Sequence, residues 1–306
     1  VRADVAPGER FGVGLRLSGQ ALEEASASEA MAAMKAFLAE NDLYVFTMNA
    51  FPYGPFHGTR VKEEVYLPDW RDNERLRYTN AAADYLAEIL PEGLVGSIST
   101  APGCYKTNVD GDAVAQMTER FVQHAAHLVA IERRTGKTIA LAIEPEPSCF
   151  LETTEEAVAF FRDHLFAPAA AGRLAELTGL SAEEAGRALR KHLGLCLDLC
   201  HAAVEFEDPA ATVASLREAG LAVTKLQVSA GLRLAGVGAE ARALLAPFDD
   251  GVYLHQVVEK RGSALTRYDD LSDAFEALGD APAAADREWR GCQPPSTCPA
   301  LQALGI

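Results

Sequence analysis

Short apolar runs of strand character alternate with longer amphipathic segments along most of the chain. The pattern predicts strands over 11–18, 44–49, 96–100, 138–143, 193–199 and 223–229, and helices over 24–40, 73–90, 114–135, 154–166, 174–193 and 209–219. Strands that alternate with helices, without hairpin turns between them, require right-handed parallel crossovers. Six such strands in succession favour a (β/α) barrel, although periodicity alone is also compatible with an open doubly wound sheet.

Two segments depart from this alternation. Residues 251–267 predict two short strands around Gly262, which is the pattern of a β-hairpin inserted on the barrel. Residues 291–306 contain three prolines and predict an irregular tail, because proline cannot donate to a central strand ladder. We therefore expect residues 1–306 to form a single barrel domain that carries this hairpin and this tail.

The charge of the chain limits its partners. Its 44 Asp and Glu outnumber its 28 Lys and Arg, and no basic cluster interrupts the acidic background, which argues against nucleic acid or an anionic membrane. A small molecule or another protein remains. No apolar run reaches the ~20 residues of a membrane span and no signal-peptide pattern is present, so we expect a cytoplasmic protein without membrane insertion. The six cysteines are dispersed, unlike a disulfide framework.

Polar side chains stand where the predicted strands end, which in a barrel is the end that carries the active site. Glu144 and Glu146 follow the fourth strand, Asp198 and His201 follow the fifth, and Gln227 lies on the sixth. Two carboxylates held together repel each other unless a cation or a proton lies between them. Oxygen and imidazole ligands suit Mn²⁺, Mg²⁺ or Zn²⁺. The alternative is structural, with one glutamate capping a loop and the histidine ending a turn.

Other candidates lie in loops. Residues 49–66 follow the second strand and contain Asn49, His57 and Arg60 among aromatics and glycines, a composition common in pocket walls. The same segment is also compatible with a surface loop that packs its own aromatics. Lys106 follows the third strand and can meet an anionic substrate, and His255 in the hairpin is equally compatible with a structural and a functional role. No phosphate-cradling glycine motif and no Gly-x-Ser-x-Gly element is present.

The order AIEPEP, CLDLCH and KLQVS resembles the sugar phosphate isomerase and epimerase superfamily with a xylose-isomerase-like TIM barrel. Within it, the segments FGVGLRLS, FTMNAFPYGPFHGTRVKEEVYLPDWRDNERLRYT, GSISTAPGCYK and AIEPEPSCFLETTEEA are similar to the EboE-like metabolite-traffic proteins. The resemblance implies a (β/α)8-type barrel, here missing its first strand. It also implies a degraded or truncated last strand, because the sequence after residue 290 departs from the EboE-like pattern.

The resemblance also implies site roles. Glu144 and Asp198 match the first two ligands of a divalent metal, and Gln227 stands where the superfamily has a histidine ligand. Glu144 is then chiefly a ligand and Glu146 the available base, while His201 matches a histidine that contacts substrate. The contacts to a sugar-like substrate are assigned to Asn49, His57, Arg60, Lys106, His201 and His255.

Three functions follow as hypotheses. The first is an enzyme that isomerises or epimerises a small polar, sugar-like metabolite with a divalent metal. The second is a barrel that binds or carries such a metabolite without turnover, either as a homo-oligomer or with other proteins of a metabolite-trafficking pathway; the glutamine at position 227 favours it. The third is a barrel acting on another substrate, such as abasic DNA, against which the acidic charge argues.

Overall fold

The β-strands of the described residues form two separate sheets. The computed structural model describes residues 2–54, 62–249 and 254–292. The first sheet is parallel and follows the chain order: β1 (Phe11–Arg16), β2 (Leu43–Asn49), β3 (Gly96–Thr100), β4 (Ile139–Ile143), β5 (Leu193–Asp198) and β6 (Val223–Gln227). The second is antiparallel, in the order β7 (Leu232–Ala235), β10 (Arg287–Gly291), β8 (Val257–Arg261) and β9 (Ala264–Tyr268).

Helices occur between the parallel strands and also before and after them in the chain. Those in the described residues are α1 (Arg2–Val5), α2 (Gly19–Ala25), α3 (Ser28–Glu40), α4 (Asn73–Ile89), α5 (Ala113–Thr135), α6 (Thr154–Phe160), α7 (Pro168–Thr178), α8 (Ala182–His192), α9 (Leu199–Val204), α10 (Pro209–Glu218), α11 (Ala241–Leu245) and α12 (Leu271–Leu278). A π-helical turn, Phe161–Leu165, continues α6, and short 3-10 turns span Lys62–Tyr66, Lys106–Asn108 and Ala246–Phe248. No helix in this part of the chain combines the length and the apolar character needed to cross a membrane.

Two of the predicted helices are each interrupted by a short break. The segment predicted as one helix over 174–193 is divided between α7 and α8, because Gly179 ends α7 in the left-handed region at φ 71°. Ser181 then starts α8 with a capping box, in which its hydroxyl accepts from the Glu184 amide and Glu184 accepts from the Ser181 amide. The segment predicted over 24–40 is likewise divided between α2 and α3.

Alternation along the strands separates the hydrophobic core from the inner face of the sheet. On β4, Ile139, Leu141 and Ile143 are fully buried and pack into the core with the helices. That core also includes Leu86 and Tyr85 of α4, Phe121 and Leu128 of α5, Ile98 of β3, and Leu193 and Leu195 of β5. The residues between them on each strand therefore face the concave side of the sheet.

Small and polar residues line this concave face. The strand register places Thr47 beside Ser97 and Asn49 beside Ser99, and it continues from these serines to Ala140 and Ala142 on β4. The interior of a TIM barrel is normally filled by branched apolar side chains. The side chains named here are short, so they leave room on the concave side for groups that reach across it.

The sheet curls, and Lys225 of β6 spans the curl. Its Nζ donates to Ser99 Oγ on β3 at 2.8 Å and to the Met48 carbonyl on β2 at 3.3 Å. A side chain on the last strand can reach the second and third strands only if the sheet bends back on itself. The six parallel strands therefore form a partial TIM barrel, which confirms the predicted fold class.

The antiparallel sheet has its own core and is built from residues 232–291. Trp289 on β10 is its largest buried side chain, and α12 packs Leu271 and Phe275 against it. Strands β8 and β9 form a hairpin that turns at Gly262, which has φ 59°. Strand β10 ends at Gly291, three residues before the first proline, and the predicted tail beyond residue 292 lies outside the described residues.

Polar contacts connect this second sheet to the mouth of the partial barrel. Arg267 of β9 pairs with Glu205 at 2.6 Å, and Ser148 Oγ donates to Asp269 Oδ1 at 2.7 Å. Gln256 Nε2 donates to Tyr66 Oη at 3.0 Å. These contacts hold the antiparallel sheet beside the C-terminal ends of the parallel strands.

Candidate functional site

Glu144 is the first residue after β4, at the C-terminal edge of the parallel sheet. Its amide donates to the Thr100 carbonyl at 3.1 Å, which continues the strand pairing with β3 for one more residue. The residue is only 9% exposed. The alternation of β4 turns it to the same side as Ala140 and Ala142. The carboxylate therefore lies at the concave mouth of the partial barrel.

Asp198 ends β5 and starts α9. Its Oδ1 accepts from the amides of Cys200 at 2.7 Å and His201 at 3.2 Å, which is the bonding pattern of a helix N-cap. Ser229 Oγ donates to the same oxygen at 2.6 Å. Asp198 Oδ2 faces the site. This cap fixes the orientation of the carboxylate and also positions His201 in the first turn of α9.

His201 faces the carboxylate of Glu144 across the mouth. Its Nδ1 lies 3.0 Å from the Pro145 carbonyl oxygen and 3.7 Å from Glu144 Oε1, so Nδ1 carries the proton that the carbonyl accepts. Ligand atoms of Glu144, Asp198 and His201 all lie within 4.8 Å of one another. The predicted convergence of these residues is therefore present in the structure.

Gln227 of β6 joins the two carboxylates directly. Its Nε2 donates to Glu144 Oε1 at 2.6 Å and to Asp198 Oδ2 at 2.5 Å. The sequence predicted a metal ligand here, which would use the amide oxygen. The structure instead turns the amide nitrogen towards both carboxylates, so that its two N–H groups occupy the position between them.

Burial and mutual charge shift the pKa values of this cluster. Burial is the main reason that the pKa of Glu144 rises to about 7; His201 opposes the rise and Asp198 adds to it. Burial alone would lower the pKa of His201, but Asp198, Glu146 and Glu144 raise it to about 9. Burial would raise the pKa of Asp198, but His201 and the Ser229 hydroxyl hold it below its usual value. The cluster therefore keeps a cationic imidazole beside an ionised carboxylate.

The donor set fits a hard or borderline divalent cation. Two carboxylate oxygens and one imidazole nitrogen converge, and the amide of Gln227 lies between the two carboxylates, in the region that a cation would share. A rotation of the Gln227 amide by half a turn would present its oxygen in place of its nitrogen. Binding of a cation at these residues would compete with protons, because the imidazole must be neutral to act as a ligand.

Glu146 lies beside the cluster but is bound by other groups. Tyr66 Oη donates to Glu146 Oε1 at 2.6 Å, and Gln256 in turn donates to Tyr66. Burial is the main cause that raises the pKa of Glu146, while His201 and the Tyr66 hydroxyl oppose it. The residue predicted as the available base is therefore a buried carboxyl that is oriented from the side of the antiparallel sheet.

Asn49 and Lys225 face the concave side of the sheet. Asn49 Oδ1 is buried and has no hydrogen-bond partner among the described residues. Lys225 was not among the predicted site residues. Its position two residues before Gln227, in an otherwise strand-like run, was the available signal, since alternate residues share a face. Lys225 lies near enough to the carboxylate cluster for Glu144 and Asp198 to act on it electrostatically.

The other predicted substrate contacts are placed differently. Lys106 pairs with Glu152 and with Glu156, the latter at 3.1 Å. His255 is buried, with Nδ1 3.6 Å from Asp270 Oδ1. The structure does not bring either side chain into contact with Glu144 or Asp198. His57 and Arg60 lie outside the described residues.

No model of a known protein family matches the chain, and no curated protein matches it. Solved structures with partial similarity include the IolI protein with a bound zinc atom (14% identity, TM-score 0.38, covering 68% of this chain and 58% of that one). A second is a xylose isomerase-like TIM barrel protein from Mycobacterium smegmatis in complex with magnesium (16% identity, TM-score 0.38, covering 62% of this chain and 54% of that one). A third is AP endonuclease, family 2, from Brucella melitensis (15% identity, TM-score 0.35, covering 69% of this chain and 76% of that one). The chain thus spans somewhat more than half the length of the first two proteins. The zinc and the magnesium are properties of those proteins, because TM-scores below 0.5 do not carry them over to this chain.

Proposed function

We propose that this chain holds a divalent metal ion with Glu144, Asp198 and His201 and uses this site on a small polar, sugar-like metabolite. The observation that carries the proposal is the convergence of three ligand atoms within 4.8 Å at the ends of two adjacent parallel strands. The sequence resemblance adds the finer proposal of an EboE-like metabolite-traffic protein of the xylose-isomerase-like superfamily. Gln227 is the proposed fourth ligand, through its amide oxygen.

The proposed reaction is an isomerisation or epimerisation. A metal bound here would polarise the carbonyl and the neighbouring hydroxyl of the substrate. Glu146 would accept the proton from the adjacent carbon, and burial raises its pKa, which makes the carboxylate a stronger base. Tyr66 would keep the accepting carboxyl in a fixed orientation. The resemblance implied a substrate contact for His201, and in the proposed site His201 would instead hold the metal.

A second candidate is a barrel that binds the same kind of metabolite without converting it. The observation that favours it is the position of Gln227, whose amide donates hydrogen bonds to both Glu144 and Asp198 and so reduces their mutual repulsion without a cation. An amide oxygen binds borderline metals less well than imidazole does, so the metal would be held more weakly and could be lost. Both candidates place the chain in the cytoplasm, with further copies of itself or other trafficking proteins as partners.

Elemental analysis of the protein purified without chelator tests the metal proposal. Asp198→Asn is the informative variant, because asparagine preserves the N-cap of α9 while removing the charge. Asp163→Asn, on the exposed π-helical turn, is the matched control. We expect near-stoichiometric divalent metal in the wild type and the control, and its loss in Asp198→Asn.

Absence of metal from all three proteins, even after incubation with Mn²⁺, Mg²⁺ or Zn²⁺, would rule out the proposed centre. A screen of aldoses and ketoses for turnover then separates the two candidates. Conversion of any sugar by the metal-loaded protein supports the enzyme, and binding without conversion supports the carrier.

A further inference from the structure

We infer that Lys225, Asn49 and Ser99 form a hydroxyl-binding subsite on the concave face of the sheet, and that the ligand of this chain is a neutral polyhydroxy compound. The inference rests on the proposed function, because it assigns the part of a sugar-like ligand that would extend away from the carboxylates. The three residues lie on β6, β2 and β3, and none of them belongs to the proposed ligand set.

Lys225 has bonding capacity to spare. An ammonium group has three N–H donors, and among the described residues two of them are used, by Ser99 Oγ and the Met48 carbonyl. Both acceptors are neutral, whereas most of the described lysines that form a side-chain contact pair with a carboxylate, as Lys35 does with Glu88. The third N–H of Lys225 can therefore donate to a ligand oxygen.

Asn49 supplies the complementary need. Its Oδ1 is buried with no donor among the described residues, and a buried acceptor left in this state is costly. Asn49 directly follows Met48, whose carbonyl binds Lys225, and it pairs in register with Ser99 on the neighbouring strand. One unused donor and one unused acceptor thus lie on adjacent positions of the same face.

A hydroxyl group satisfies both at once. Its oxygen accepts from Lys225 and its proton is donated to Asn49, with Ser99 available beside them. A phosphate or carboxylate has no proton for Asn49 at neutral pH, and it would meet Glu144 and Asp198 at the same mouth. Phosphate sites also use several converging donors, such as backbone amides or arginine. This balance of one donor and one acceptor favours a neutral polyol over a phosphorylated or acidic sugar.

Calorimetric titration of the full chain tests the subsite. The probes are D-fructose and D-glucose, compared with D-fructose 6-phosphate and D-gluconate, each with and without Mn²⁺. We expect Lys225→Met and Asn49→Ala each to weaken binding of the neutral sugars about 10-fold, the size of one charge-assisted or buried hydrogen bond. The neutral sugars should bind about 10-fold more tightly than the two anions. Lys35→Met, at an exposed helical lysine, is the control and should bind as the wild type does.

Asn49→Ala separates binding from folding. It removes a buried acceptor that has no partner among the described residues, so the thermal midpoint should not fall while sugar binding weakens. Lys225→Met also breaks the link between β6 and β2, and its midpoint should fall. Tighter binding of the phosphorylated sugar, equal binding by the wild type and both variants, or no binding of any neutral sugar would overturn the inference.

The metal measurement keeps the two proposals apart. Neither Lys225 nor Asn49 is a proposed ligand, so both variants should retain the wild-type metal content. Metal binding together with unchanged sugar affinity in the variants would refute the subsite and leave the proposed centre standing. Sugar binding that depends on both residues in a chain that takes up no metal would support the subsite and refute the centre.

Discussion

Replacement of Gln227 by methionine measures how much of the stability of the mouth depends on one amide. Methionine has nearly the same length, so the substitution removes the two N–H donors and leaves little change in volume. In the cation-free protein, Glu144 and Asp198 would then face each other without the group that lies between them. We expect Gln227→Met to be clearly less stable than the wild type.

The structure sets the size of the effect. A hydrogen bond to a charged group contributes about 1.5–3 kcal/mol, so the loss of two gives an upper range of about 3–6 kcal/mol. Asp198 keeps its bonds from Ser229 and from the amides of α9, and Glu144 keeps the facing charge of His201. These remaining interactions offset part of the loss, and we expect a decrease in the free energy of unfolding of about 3 kcal/mol.

Urea unfolding in chelator, followed by far-UV circular dichroism, is the assay. Gln123→Met is the matched control, because the Gln123 amide also donates to a carboxylate, Glu119 at 2.8 Å, but on the surface of α5. The control should lose well under 1 kcal/mol. Equal stability of Gln227→Met and the control in chelator would refute the reasoning.

Two further predictions concern the interior. Burial is the main cause that lowers the pKa of His124 to about 3, whereas the unfolded chain titrates near 6.5, so stability is complete above pH 6.5 and is lost as pH falls towards 3. At pH 5 the loss in the free energy of unfolding is about 2 kcal/mol. Urea unfolding of His124→Gln should not show this loss between pH 7.5 and pH 5. An equal pH dependence in the wild type and the variant would contradict the assignment. Gly194→Ala should destabilise by about 2 kcal/mol, because the new Cβ would lie 2.7 Å from the Ala222 carbonyl oxygen, whereas Gly172→Ala, in open space on α7, should stabilise; equal unfolding midpoints of the two variants would be inconsistent with this packing.

Periodicity was sufficient to predict the parallel half of this chain. Strand and helix alternation is a local property, and parallel crossovers bring all strand ends to one edge, so the meeting of Glu144 and Asp198 followed from their positions after β4 and β5. His201 came with them because it lies in the first turn of the helix that Asp198 caps. Each of these residues lies within a few residues of the strand end or helix start that positions it.

The antiparallel sheet and the role of Lys225 could not be obtained in the same way. Strands β7 and β10 pair across more than fifty residues, and no local pattern encodes that pairing. The reach of Lys225 to Met48 depends on how strongly the sheet bends, which is set by packing of the whole layer. The break between α7 and α8, in contrast, was available in the sequence, as Gly179 followed by Ser181 and Glu184 is a stop signal and a capping box.

Asp198 uses its two carboxylate oxygens for different purposes, which affects how this position can change during evolution. Oδ1 accepts from the amides that begin α9, and Oδ2 faces the candidate cation site. Selection for folding and selection for chemistry therefore act on the same side chain. A lineage that abandons the chemistry should still retain aspartate or asparagine at this position for the cap. Glu144 starts no helix, so its side chain would be free to drift, and the two positions would diverge at different rates.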